Sequence, residues 1–164
     1  DHSGEIPYLL ERYDVSWYLH PDDDYLQSLA QKSAQRWGFN LPTPAIADKQ
    51  LEDNMTLELG SLKFEIYHTP GHTLGGCCIE VEVEDGANHL FAGDTLFAGS
   101  VGRTDLPFSG GDFNLLSHSV ITKLWPLEGD TVVHPGHGPM TTIGVEKSTN
   151  PFVGVQSAAF AEFN

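Results

Sequence analysis

A chain of 164 residues is long enough for one domain with a buried core, and its 8 Lys+Arg against 23 Asp+Glu give a formal net charge of −15. That balance leaves no basic stripe, which argues against a nucleic acid or an anionic membrane surface as partner. No apolar run approaches the ~20 residues needed to cross a bilayer, and Cys77 and Cys78 are strand neighbours that point to opposite faces, so they read as reduced packing residues of a cytoplasmic protein.

Taken in order, Ser3 to Tyr13 carries Ile6, Leu9, Leu10 and Tyr13 at helical spacing. Val15 to Leu19 reads as a strand ended by His20-Pro21, and Asp22 to Arg36 as a second helix with acids in its first turn, where they suit the helix dipole. Gly38 to Lys49, holding Pro42 and Pro44, reads as a connecting loop and a candidate flap. Met55 to Leu59 and Leu62 to Tyr67 alternate apolar and polar around Gly60-Ser61, the pattern of a hairpin. Cys77 to Val83 alternates again, and His89 to Phe91 forms the next strand. Phe97 to Gly111 is Gly-rich and polar. Asn114 to Trp125 reads as a helix with Leu115, Val120, Ile121 and Leu124 inward; Thr131 to Val133 is a buried strand, and a short helical piece follows from Glu146.

Three of these strands run out into turns that carry a potential metal ligand: His72 in Thr69-Pro70-Gly71-His72-Thr73, Asp94 in Phe91-Ala92-Gly93-Asp94-Thr95, and His137 in His134-Pro135-Gly136-His137-Gly138. A ligand at a strand end is held by the sheet, and the glycine before it (Gly71, Gly93, Gly136) lets the backbone bend inward. Asp1-His2 supplies a further acid and imidazole at the start of the sequence.

In this order, Asp1-His2, TPGHT, FAGDTLF and HPGHGP resemble the ligand motifs of the metallo-β-lactamase-fold hydrolases, and GDTLFAGSVGRTDLP and PGHGPMTTIGVEKSTNPF resemble the glyoxalase II-like, hydroxyacylglutathione hydrolase branch. The resemblance implies an α+β fold, the αββα sandwich, as a single partial domain. The family's first motif is His-x-His-x-Asp-His, of which this sequence holds the last two members, so the strands before it are expected to be missing here. It implies two divalent metals, zinc foremost with iron or manganese as alternatives: Asp1, His2 and His137 on one, Asp94 bridging, and His72 on the other. It further implies Asp1 and Asp94 as catalytic residues, a metal-bound hydroxide as nucleophile and a small-molecule acyl-thioester as substrate. Arg103 and Lys147 are the cations near the motifs that could anchor substrate, although Arg103 and Asp105 in GRTD more simply form an ion pair that braces the loop. The stretch after His137 is too short for the helical domain that contacts glutathione in full-length glyoxalase II, so the thiol is left open.

Other polar residues read more plainly. His134 reads as a packing or supporting histidine beside His137, His68 as structural, and His20, His89 and His118 carry no motif. Gly99 to Gly111 lacks the order of a phosphate loop, and no serine sits in a GxSxG elbow. The alternatives to a thioester hydrolase are a mononuclear iron oxidoreductase resembling the persulfide dioxygenases, against which Gly136 and Gly138 around His137 argue, and a catalytically incompetent fragment.

Overall fold

Period-two alternation from Thr56 onward builds the main sheet. In the computed structural model, which describes residues 2–163, it has six strands, β3 (Thr56–Leu59), β4 (Leu62–His68), β5 (Cys77–Glu82), β6 (His89–Gly93), β9 (Val132–Pro135) and β10 (Thr141–Thr142), in spatial order β10-β9-β6-β5-β4-β3. Leu59 faces Leu62 across the β3–β4 turn, with Gly60 at φ +62, so the expected hairpin forms around Gly60-Ser61. All pairings are antiparallel except β6–β9, where Leu90 lies beside Val133. A parallel pair needs a crossover, and the chain between β6 and β9 supplies it with a hairpin, β7 (Leu96–Phe97) and β8 (Ser100–Val101), followed by helix α3 (Phe113–Ser119).

One sheet face carries Cys78, Leu90, Ala92 and Val133, all fully buried. They pack with Leu116 and Val120, with Leu124 and Trp125 beyond α3, and with Ile143 and Val153. The expected helix through Trp125 is corrected in phase. It turns π-helical over Val120–Leu124, and Leu116, not Leu115, is the fully buried leucine of its first part. The wider turn rotates the later side chains, so Val120, Ile121 and Leu124 still face the core as their spacing suggested. On the other face Phe91 is exposed and stacks on His134 at 5.0 Å between ring centres. Helix α4 (Ile143–Thr149) starts three residues before the expected piece, because the Thr142 hydroxyl accepts from the Val145 N–H and caps it. Helix α5 (Ala158–Phe163) brings Phe160 and Phe163 against the core.

The chain divides into two compact units, one running through Leu51 and the other from Glu52. In the first, α1 (Ile6–Arg12) has Pro in its opening turn, and a 3-10 turn (Pro21–Asp23) leads into α2 (Asp24–Arg36). The expected strand Val15 to Leu19 shortens to β1 (Tyr18–Leu19), which pairs in parallel with β2 (Lys49–Gln50). Lys49 therefore belongs to a strand and not to the Pro-containing loop, since no local pattern announces a pairing partner thirty residues away. That loop is held to its own unit by Gln31, which donates to the Leu41 carbonyl at 3.2 Å, and by the Trp17 indole, which donates to the Ala45 carbonyl at 3.3 Å. No described helix is long and apolar enough to cross a membrane.

Candidate metal centre

The loop after β4 doubles back on itself. The Thr69 N–H donates to the Gly76 carbonyl at 2.7 Å and the Gly71 N–H to the Thr73 carbonyl at 2.8 Å, which leaves His72 at the tip. Gly71 is at φ +136, and a Cβ there would lie 2.3 Å from the backbone nitrogen of Leu116, so only glycine lets this loop close on the start of α3. At the end of β6, Gly93 turns at φ +49 into Asp94. The Gly136 N–H donates to the Gly93 carbonyl at 2.7 Å, so the turns bearing Asp94 and His137 are stitched side by side. The bend expected at Gly136 forms there and continues through His137 to Gly138, which takes the left-handed φ of +83.

These turns bring three of the candidate residues together. His72 Nε2 lies 3.5 Å from Asp94 Oδ2, and His137 Nε2 lies 3.6 Å from the same oxygen. His72 and Asp94 are largely shielded, with side chains 18% and 15% exposed, whereas His137 is 58% exposed and forms the open side. His72 Nδ1 sits 2.7 Å from the Arg103 carbonyl. A carbonyl can only accept, so Nδ1 carries a hydrogen, and the tautomer this selects for the neutral ring has the lone pair of Nε2 toward Asp94.

A lone pair facing a carboxylate calls for a cation between them. Two ligands about 2.1 Å from one metal at a tetrahedral angle stand about 3.4 Å apart, and the two observed separations fall at that value. Imidazole nitrogen with carboxylate oxygen is a donor set that suits zinc, iron or manganese. His72 with Asp94, and His137 with Asp94, are therefore each spaced as two ligands of one divalent metal, with Asp94 common to both pairs.

Asp1 lies outside the described residues, and His2 is an exposed residue of the first unit, ahead of α1. Arg103 forks onto Asp105, with Nε to Oδ1 at 2.9 Å and Nη2 to Oδ2 at 3.1 Å, the bracing pair that the sequence suggested. This hydrogen bonding and charge hold the Asp105 carboxyl below its usual range and push the exposed guanidinium higher still. Lys147 donates from Nζ to the Trp125 carbonyl at 2.7 Å, so its ammonium braces the helical layer. His68 is structural, its Nε2 2.9 Å from the Leu74 carbonyl. His134 packs, stacked between Phe91 and His89 and sharing a hydrogen between its Nε2 and His89 Nδ1 at 2.8 Å; His89 thus gains a role that no motif signalled.

Beneath Asp94 lies a small buried hydroxyl network. Thr69 Oγ1 is 3.2 Å from Thr95 Oγ1 and 3.3 Å from Cys78 Sγ, and burial pushes the Cys78 thiol up to about 11. Two further residues escaped the sequence reading. Gly102 packs so closely that a Cβ on it would lie 1.7 Å from the Asp94 carbonyl oxygen, and Glu146 is buried at 2% exposure in the first turn of α4. An acid at a helix start normally reads as solvated, so nothing local marked Glu146.

Comparison with known proteins places these motifs in context. The model of the metallo-beta-lactamase superfamily matches residues 1–137. The hydroxyacylglutathione hydrolase GloC of Haemophilus influenzae is 37% identical over 159 residues, spanning 96% of this chain and 73% of that protein. Among solved structures, TTHA1623, determined in a di-iron-bound form, superposes with a TM-score of 0.78 at 41% identity over 93% of this chain and 72% of its own. The B3 metallo-beta-lactamase BLEG-1 gives 0.79 at 37% identity over 93% and 72%.

Proposed function

Since the chain belongs to the metallo-beta-lactamase superfamily and has its mixed α+β fold, we propose that it is a metal-dependent hydrolase of acyl-thioesters of the hydroxyacylglutathione kind. The observation that carries this reading is the convergence of His72 Nε2 and His137 Nε2 on one oxygen of Asp94, with the hydrogen of His72 committed to the Arg103 carbonyl. The likeness to GloC supports the substrate class, and the di-iron form of TTHA1623 supports a metal of the zinc and iron type without choosing between them.

A divalent metal held by Asp94 together with His72 or His137 would supply Lewis acidity to polarise an acyl carbonyl and acidify water. The chain's own residues do the positioning. Asp94 brings the negative charge that offsets a cation, and the Arg103 carbonyl holds the His72 ring in one orientation. His137, the most exposed of the three, leaves the side by which substrate arrives, and the Phe97 ring stands edge-on to it at 6.3 Å and limits its swing. A departing thiolate, with a pKa of about 8.5, leaves without a strong general acid, so a thioester asks less of this site than an amide would.

The test is release of free thiol from a hydroxyacyl thioester of glutathione by the zinc- or iron-loaded chain, with Asp94→Ala as control. Thiol release that depends on both metal and Asp94 supports the proposal. A metal-loaded chain that leaves the thioester intact overturns it, and oxygen uptake by the iron-loaded chain with a persulfide would favour the dioxygenase-like alternative.

A further inference from the structure

Glu146 is buried among partners that all offer hydrogens and none of which is a cation. Its Oε1 accepts from the Thr141 hydroxyl at 2.7 Å, and its Oε2 accepts from the Gly99 N–H at 2.9 Å and the Asn150 carboxamide at 2.9 Å. Asn150, itself 1% exposed and one helical turn along, also donates to the Ser100 carbonyl at 3.0 Å. Between them the two side chains hold the backbone of both Gly99 and Ser100, the turn that joins β7 to β8. That hairpin begins two residues after Asp94. It ends at Val101, from which the chain passes through Gly102, pressed against the Asp94 carbonyl and 3.2 Å from the His72 Cβ as a Cβ there would measure it, to the Arg103 carbonyl that accepts from His72.

We propose that Glu146 is a positioning residue for the metal centre, which clamps the β7–β8 turn so that the Arg103 carbonyl selects the His72 tautomer with its Nε2 lone pair facing Asp94. Burying a carboxylate without a cationic neighbour is costly unless hydrogen bonds compensate, and here three of them do. Leu or Met would fill a helix–hairpin interface at less cost. A carboxylate does what an apolar side chain cannot: it fixes the height of one backbone N–H, and with it the carbonyl four residues on. The inference rests on His72 and Asp94 being metal ligands, as read above.

The experiment uses the full chain with Glu146→Met, which fills similar space and leaves the Gly99 N–H and the Asn150 carboxamide without their acceptor. Two readouts are needed: nitrogen-15 chemical shifts of the His72 ring in the metal-free protein, and the affinity for zinc ion alone, measured by competition with a chromophoric chelator below the unfolding temperature of both proteins. The wild type is expected to show the Nδ1–H form. The variant is expected to show a mixture of tautomers and zinc binding weakened about 10- to 100-fold, the loss that follows removal of an outer partner of a metal ligand. A folded variant with an unchanged tautomer and unchanged zinc affinity overturns the proposal, whatever its melting temperature. Should Glu146→Met fail to fold, Thr141→Val removes one of the three donors and must shift both readouts in the same direction by less; no shift overturns the proposal equally. The ring measurement needs neither metal nor substrate, so a chain that proves inactive on thioesters sinks the proposed function without deciding the role of Glu146.

Discussion

The imidazole of His72 donates from Nδ1 to the carbonyl of Arg103 at 2.7 Å, and in the neutral tautomer this selects it meets the carboxylate of Asp94 with a lone pair at 3.5 Å. Acceptors set against each other at this distance repel, and the fold holds them there because Gly102 and the β7–β8 hairpin fix one side while the Gly71 loop fixes the other. The pair is stable as soon as a cation lies between them, which couples folding of the loops to binding.

Zinc should therefore stabilise the chain, by about 2.7 kcal/mol at a hundredfold excess over the dissociation constant, and a chelator should reverse the gain. Asp94→Ala removes the oxygen on which both histidines converge and is expected to weaken zinc by more than about 100-fold, beyond the loss typical of outer partners. Chelator competition measures it. Unaltered affinity in Asp94→Ala would mean that the cluster is not the binding site.

Gly102→Ala tests the packing that supports the same oxygen. Its new Cβ would lie 1.7 Å from the Asp94 carbonyl oxygen, an overlap with backbone that no rotamer relieves. Overpacking costs about 1–3 kcal/mol, and the upper end is expected here together with loss of zinc affinity. Gly60→Ala, in the β3–β4 turn, is the control. At φ +62 with nothing within 4 Å of the added carbon, it carries backbone strain of about 1–2 kcal/mol and leaves the Asp94 carbonyl untouched. Urea unfolding and zinc titration of both variants separate strain from damage to the centre; equal zinc affinity in the two would contradict the assignment.

Much of the second unit was legible because its signals are local. Alternation within β4, β5 and β6 and the glycines at their exits are properties of five or six consecutive residues, and they were enough to put His72, Asp94 and His137 on turns. Pairings between distant stretches were not legible: β1 with β2, or His89 with His134, whose contact depends on the parallel register Phe91–His134. The phase of α3 was misread at Leu115, since Leu116 lies four residues before Val120 and so shares its buried face. Glu146 and Gly102 were invisible for a further reason. Their importance lies in which backbone atom they meet, and composition carries no information about that.

Arg103 separates a bracing role from a substrate role. Its fork with Asp105 is fully exposed, so Arg103→Ala is expected to leave unfolding by urea unchanged within error while the Arg103 carbonyl, being backbone, still holds His72. If the guanidinium also meets a substrate carboxylate, the variant raises KM for glutathione thioesters about tenfold with kcat unaltered, and does so less for a thioester without carboxylates. Equal kinetics on both substrates would confine Arg103 to the loop.

Asp53 gives the second unit a pH signature. It accepts from the His68 N–H at 2.8 Å and pairs with Lys123 Nζ at 2.6 Å, tying the start of β3 to the end of β4 and to the π turn after α3. Partial burial alone would raise its carboxyl pKa, but the hydrogen bonds from Lys123 and His68 and the lysine charge outweigh it and hold the group below its ordinary 3.8. A group depressed in the folded state adds stability that is complete above its unfolded pKa and vanishes as pH falls through the lower folded value. With side chains 28% and 37% exposed, solvent screening limits the pair to about 1 kcal/mol or less. Asp53→Asn keeps an oxygen for the His68 N–H and replaces the charged acceptor that faces Lys123 with a neutral amide. The wild type should therefore exceed it in urea stability by a constant amount from pH 7 down to about 5, with the gap closing below pH 3.8 as the native carboxylate is protonated. A gap that persisted undiminished at pH 2 would show that the charge of Asp53 contributes nothing and that shape alone is at stake.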